Sequence, residues 1–218
     1  MVEVGCWSCT SSVGWGEVCP TCGALQPISE GTDHFSVFGL PRKANLDLGA
    51  LEASFHVLSR RFHPDFYQTQ SSRAQAVSLE NSARLNVAYR TLRDPIARVE
   101  YLLELAGLAA GTPSDPPAEL FEEILELQEA RQEHRATKNP AVRSRLQGAL
   151  SDLRDRKAVV EEELYGLFGE WDRLLAGPGE QVEKRRKLLE RMREILATRA
   201  YLGTVISDID EDLRWHMT

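Results

Sequence analysis

Four cysteines stand within the first 22 residues, as Cys6-x-x-Cys9 and Cys19-x-x-Cys22, and the chain has no others. A C-x-x-C turn aims two thiolates at one point, and two such turns complete a tetrahedral four-sulfur set, the usual structural zinc arrangement. Gly23 follows Cys22 and suits the sharp backbone turn such a knuckle needs. Four thiolates leave no open coordination position, which predicts a structural ion rather than a catalytic one. So short a segment builds little core, and the metal would supply most of its folding energy. A redox pair or two disulfides is the alternative, and ligand type alone also admits iron. Trp7 and Trp15 either pack over the knuckles or face a partner.

The second group is His63-Pro64-Asp65, inside "SRRFHPDFYQ" (Ser59 to Gln68). Taken alone, x-Pro-Asp is a common turn. No Ser or Cys nucleophile belongs to the segment, and a general base needs a defined proton to take. No second ligand sits at a helical spacing beside His63. The residues therefore predict neither an enzyme nor a metal at this turn.

The elements that must position these groups read as helices. Leu48, Leu51, Phe55, Leu58 and Phe62 recur at spacings of three and four, one apolar face of an amphipathic helix. Asn45 or Asp47 suits its N-cap. Pro64 biases the preceding residue away from helix, so the helix should end near His63. A second helix is expected over Ser71 to Leu92, with Leu85, Ala88, Tyr89 and Leu92 inward. Asp94-Pro95 reads as an N-cap with proline at the first helical position, opening a third helix that closes at Gly107. After the breaker-rich "GLAAGTPSDPP", Asp115 or Pro116 precedes a helix from Pro117 to about Glu133. Asn139-Pro140 opens another, with Val142, Leu146, Leu150 or Leu153, Val160, Leu164, Leu167 and Leu174 available for burial, until "AGPGE" breaks it. A last helix offers Leu189, Met192, Leu196, Ile206, Ile209 and Leu213. The expected fold is all-α, ending in an antiparallel three-helix bundle. The helical period alone does not separate that from a coiled-coil dimer, so self-association stays open.

Composition bounds the partners. The 218 residues are 42% hydrophobic and 27% charged, as in ordinary globular proteins. A net charge of −7 argues against a general nucleic-acid binder, whose affinity rests on Lys and Arg at phosphates. No apolar run reaches membrane-span length. The start, "MVEVGC", lacks the basic and apolar stretches of a secretory signal. Clustered rather than dispersed cysteines suit a reducing compartment. The expectation is a bacterial cytoplasmic protein; a trimmed mitochondrial matrix chain is the alternative.

The stretch after the turn carries a resemblance. Asn86-Val87-Ala88-Tyr89-Arg90-Thr91-Leu92-Arg93-Asp94-Pro95 is similar to the Asn-x-Ala-Tyr-x-x-Leu-x-Asp-Pro run of the J domain of DnaJ-type co-chaperones, in which His-Pro-Asp joins two antiparallel helices. "DHFSVFGLPRK" (Asp33 to Lys43), with Phe35, Phe38, Gly39 and Leu40, resembles that domain's aromatic first helix. "RFHPDFY", then Arg98, Tyr101, Leu102 and Leu103, and an acidic helical C-terminal half narrow the resemblance to the HscB-type iron–sulfur cluster co-chaperones, some of which carry a four-cysteine N-terminus.

The resemblance implies a division into a zinc module (1–30), a J domain (33–106), a linker (107–116) and a scaffold-binding three-helix bundle (117–218). It implies that His63, Pro64 and Asp65, with Arg60 and Arg61, dock on an ATP-bound DnaK/HscA-type chaperone and stimulate its ATPase. Arg42 or Lys43 would add to that positive face. An IscU-type iron–sulfur scaffold would bind Phe121, Leu125, Glu126, Glu129 and Glu133 on the first helix of the bundle and Tyr201 on the last. Glu122 departs from the family, which commonly has an apolar residue there. One zinc is implied at Cys6, Cys9, Cys19 and Cys22, with no nucleotide held by this chain. The residues themselves leave the stripe open between bundle core and binding face, and the basic side chains open between docking and a solvated helix face. The competing reading is a zinc-ribbon helical adaptor or nucleic-acid-associated module with no chaperone role.

Overall fold

The computed structural model describes residues 4–13, 17–108, 121–177 and 181–214. Its helices start and stop at the side chains that can satisfy their end groups. Asp47 accepts from the Ala50 amide and opens α2 (Leu48–Phe62). His63, held extended at φ −61° and ψ 125°, closes that helix one residue before proline. A single 3₁₀ turn, Pro64–Tyr67, follows. Ser71 caps α3 (Ser72–Arg93), the antiparallel partner of α2. The Asp94 carboxylate accepts from the Ile96 and Ala97 amides and opens α4 (Pro95–Leu105). Upstream, Asp33 caps a one-turn helix α1 (His34–Val37). Both α1 and α4 end in the same way: Gly39 (φ 64°) and Gly107 (φ 68°) turn left-handed. Leu40 and Leu108 then donate back to Phe35 O (2.9 Å) and Leu103 O (2.8 Å).

The chain divides into two units, Met1–Arg98 and Val99–Thr218. In the first, Leu25, Leu58, Phe62, Val77 and Leu85 form the core, with Val18, Ile28, Phe55 and Tyr67 half-buried against it. Tyr89 stacks on Phe55 at 4.2 Å between ring centroids. Leu48 departs from the expected stripe and is 47% exposed. Side chains lean toward a helix N-terminus, so a leucine at the first position overhangs the end of α2 rather than packing. The N-terminal strands β1 (Val4–Gly5) and β2 (Ser12–Val13) pair antiparallel and belong to this unit.

The second unit holds α5 (Phe121–Thr137), α6 (Pro140–Gly166), α7 (Phe168–Ala176) and α8 (Val182–Arg214). Asn139 caps α6 with Pro140 at its first turn, as the sequence predicts. Leu127, Ala130, Leu146, Leu150, Leu153, Leu202, Ile209 and Leu213 make the core where α5, α6 and α8 meet. The expected single helix from Pro140 to Leu174 is interrupted at Leu167 by a tight turn, Leu167 N–H donating to Leu164 O at 3.1 Å. Gly166 and Gly169 flank this break, where poor helix formers make it cheapest. The expected helix start near Pro117 and the linker beyond Leu108 lie outside the described residues. The fold is all-α: a helical hairpin followed by a three-helix bundle, with a small knuckle module at the N-terminus.

Candidate functional site

The cysteine module is built from two copies of one backbone turn. Cys6 N–H donates to Ser11 O (2.8 Å) and Thr10 N–H to Cys6 O (2.9 Å). Cys19 N–H donates to Ala24 O (2.9 Å) and Gly23 N–H to Cys19 O (2.9 Å) in the matching positions. The fourth residue after each leading cysteine is left-handed, Thr10 at φ 60° and Gly23 at φ 73°. Sequence reasoning finds Gly23 but misses Thr10, because a non-glycine gives no local signal of positive φ.

The turns bring the four Sγ atoms within 4.8 Å of one another, with Cys6–Cys22 and Cys9–Cys19 each at 3.7 Å. Zinc–sulfur bonds in a tetrahedron place sulfurs roughly 3.8 Å apart, so the four cysteines are positioned to bind one metal ion. Hydrogen bonding from Ser11, then from the Cys22 amide, draws the Cys19 thiol down to about 5. For Cys22 the Ala24 amide lowers the value, but burial and the three neighbouring sulfurs together push it to about 11. Four sulfurs this close cannot all ionise without a cation among them. Ser11 also hydrogen-bonds Cys9 Sγ at 3.0 Å, and Gln26 Nε2 donates to Cys6 Sγ at 3.3 Å.

The module is joined to the hairpin. Leu25 packs in one core cluster with Leu58 and Phe62 of α2 and Val77 and Leu85 of α3. Trp7 donates to Leu25 O (2.6 Å), and the Arg73 guanidinium lies 5.0 Å over its ring. Asn81, fully buried in α3, donates to Gln26 O (2.8 Å) and accepts from Ile28 N–H (2.9 Å). Arg84 donates to Ile28 O and Ser29 O. Trp15 lies outside the described residues.

At the turn between α2 and α3, His63 and Asp65 project into solvent, their side chains 51% and 69% exposed. The Asp65 amide donates to His63 Nδ1 at 3.3 Å, and the same nitrogen lies 3.5 Å from Asp65 Oδ2. Gln68 Nε2 donates to Asp65 Oδ1 (3.1 Å), and Phe66 meets the His63 ring edge-on at 6.1 Å. Tyr67 OH donates to Arg61 O (2.9 Å) and ties the turn back to α2. Arg60 is exposed beside it, while Arg61 pairs with Glu17 of the module. Arg42 pairs with Asp33.

In the bundle, the buried side of α5 is Ile124, Leu127, Ala130 and His134. Leu125, Glu126, Glu129 and Glu133 therefore face outward, and Leu125 is 52% exposed. Leu125 is thus not part of the bundle core. Glu126 pairs with Arg145 at 3.0 Å. The Phe121 side chain lies outside the described residues. Tyr201 is half-buried on α8, and burial raises its phenol. α5 is fixed to the end of α8 by Arg131, which donates to Asp212 (2.6 Å) and Asp208 (3.0 Å), and by Arg135, which donates to Asp212 (2.7 Å).

No family model matches the chain. Individual relatives do. The chain is 37% identical over 142 residues to a co-chaperone protein HscB homolog of Bordetella pertussis, covering 64% of this chain and 82% of that protein. It is 32% identical over 155 residues to the iron–sulfur cluster co-chaperone protein HscB homolog of Arabidopsis thaliana, 69% of this chain and 60% of that one. Among solved structures, human co-chaperone protein HscB matches with a TM-score of 0.70 at 25% identity, over 97% of this chain and 98% of that chain. Chaperone HscB from Vibrio cholerae matches at 0.51 and 25% identity, over 81% and 99%. With so much of a relative matched at such identity, the chain belongs to the HscB co-chaperone family.

Proposed function

We propose that this protein is a co-chaperone of iron–sulfur cluster biogenesis that joins an ATP-driven chaperone to a cluster scaffold. The observation that carries the reading is the His63-Pro64-Asp65 turn, exposed yet fixed between α2 and α3. The 33–106 region acts as a J domain. Its turn docks on an ATP-bound DnaK/HscA-type chaperone and stimulates ATP hydrolysis there; the chain itself catalyses no reaction. Proline fixes its own φ, which lowers the entropy lost when the imidazole and carboxylate are bound. Arg60 adds positive charge beside the turn. The role of Arg61 is shared with its Glu17 ion pair.

The 117–218 region binds an IscU-type scaffold. Leu125, Glu129 and Glu133 share an exposed face of α5 at four-residue steps, an apolar anchor with acidic neighbours. Phe121, Glu126 and Tyr201 complete the proposed patch. Holding scaffold and chaperone on one chain raises their effective concentration for each other. The metal at Cys6, Cys9, Cys19 and Cys22 is zinc, which suits four thiolates and a closed tetrahedral site. Thiols kept reduced for a metal suit the bacterial cytoplasm.

The test is ATP turnover by a purified DnaK/HscA-type chaperone with this protein, with and without the scaffold. Stimulation that His63→Gln abolishes is expected. Absence of stimulation, or stimulation indifferent to His63→Gln, contradicts the reading. Native mass spectrometry of the reduced protein should find one zinc ion.

A further inference from the structure

We propose that the four-cysteine module positions the His63-Pro64-Asp65 turn, through a polar relay whose links are Gln26 and Asn81. The proposal deepens the co-chaperone reading and rests on it for the role of the turn.

The relay starts at a metal ligand. Gln26, 9% exposed, gives its side-chain amide to Cys6 Sγ (3.3 Å) and Ala24 O (2.7 Å). Its own carbonyl accepts from Asn81 Nδ2 (2.8 Å), and Asn81 Oδ1 accepts from Ile28 N–H (2.9 Å). One buried α3 side chain thus grips the module's exit strand on both sides of Pro27. On the same helix, Ser78 and Ser82 both give their hydroxyls to Phe62 O, at 2.6 and 2.8 Å. That carbonyl belongs to the last residue of α2, directly before His63. A helix end leaves such carbonyls without a partner along the chain, and here α3 supplies two donors. Leu25, between the metal knuckle and Gln26, packs in the core cluster that holds Leu58 and Phe62. On the other flank, Glu17 pairs with Arg61. Residues 17–28 therefore lie against the end of α2 through an ion pair and a leucine, and against α3 through a buried amide.

The metal is what gives this segment a fixed shape. Without a shared cation the two knuckles have no common centre, and a segment this small does not hold its fold alone. Releasing it strips Asn81 of both partners and opens the core at Leu25. A buried amide without partners is costly enough to loosen the helix that carries it. The loosened stretch is the one that also holds Phe62 O. Gln26 and Asn81 are positioning residues: they act on the turn and need not touch the chaperone.

The test is hydrogen exchange on the full-length reduced protein, zinc-loaded and after chelation. Chelation should speed exchange in 17–28 and also in 60–67, by on the order of tenfold, and leave α5, α6 and α8 unchanged. Asn81→Leu keeps the branched shape of the side chain and all four cysteines. With metal bound it should reproduce the faster exchange in 60–67, while its cobalt-loaded form keeps the wild-type tetrahedral thiolate spectrum. Gln26→Ala, the milder variant, should give a smaller rise of the same pattern and serves if Asn81→Leu does not fold. Faster exchange confined to 4–28 after chelation, or wild-type exchange at 60–67 in the folded variants, overturns the proposal. ATP turnover is read separately. If exchange responds as stated but zinc-loaded wild type stimulates no chaperone, the docking reading falls and the coupling stands.

Discussion

In the first unit the inner face of α3 has Ser78 and Asn81 at its centre, fully buried and bonded to chain outside the helix. In the second, the inner face of α6 is Leu146, Leu150 and Leu153, packed on Leu202 and Ile209 of α8. The most buried ion pairing among the described residues of the bundle sits toward its end, where Arg131 and Arg135 close on Asp212. The difference separates two ways of holding helices. A leucine core tolerates small shifts, because dispersion and burial have no direction. Buried amides, hydroxyls and thiolates demand one geometry, and reward it only when every partner is present. The region proposed to present a defined turn to a chaperone adds directional bonds to its apolar core. The region proposed to offer a helix face to a scaffold is held where α5, α6 and α8 meet by an apolar core.

Breaking the metal centre should have the largest effect and should fall on one unit. Chelation, or Cys19→Ser, removes a contribution on the order of 10 kcal/mol in small zinc domains. Calorimetry should show the first unit melting far earlier while the bundle transition stays put. Leu146→Ala does the converse. It leaves a cavity in a fully buried site, costs about 2–5 kcal/mol, and should lower only the bundle transition.

A smaller effect tests the clamp at the bundle's end. Burial by itself raises the Asp212 carboxyl, but hydrogen bonds from Arg131 and Arg135 outweigh it and hold it below its ordinary value. The stabilisation is therefore complete above the unfolded-state value of about 4 and is lost as pH falls through the lower folded one. Asp212→Asn should cost about 2 kcal/mol at neutral pH and flatten the acid limb of the bundle's stability curve. The smallest stability change belongs to the outer face of α5. Leu125→Ala should alter melting by no more than about 0.5 kcal/mol, yet weaken scaffold binding by about tenfold as read by calorimetric titration.

Much of this was legible in the residues. The two C-x-x-C pairs name their own metal set, and Asp94 and Asn139 mark helix starts because capping is local chemistry, while the start of α2 is narrowed to Asn45 or Asp47. The end of α2 at His63 follows from Pro64. What depends on distant partners was not legible. Nothing in the sequence singles out Ser78 and Asn81, since their bonds go to Phe62 and Gln26, on other elements. Leu125 and Ile124 are adjacent and apolar, and only the packing of α5 on α6 and α8 buries one and exposes the other. The break at Leu167 was hidden because Leu164, Leu167 and Leu174 stay in phase with a continuous helix.

In the proposed function one chain carries two docking faces for two different partners. Titrating isotope-labelled protein in an amide correlation experiment tests it directly. An ATP-bound DnaK/HscA-type chaperone should perturb residues 60–67 and leave the α5 amides unchanged, and an IscU-type scaffold should perturb 121–133 and spare the turn. A chaperone that leaves 60–67 unperturbed, or a scaffold that leaves α5 unperturbed, would contradict the account.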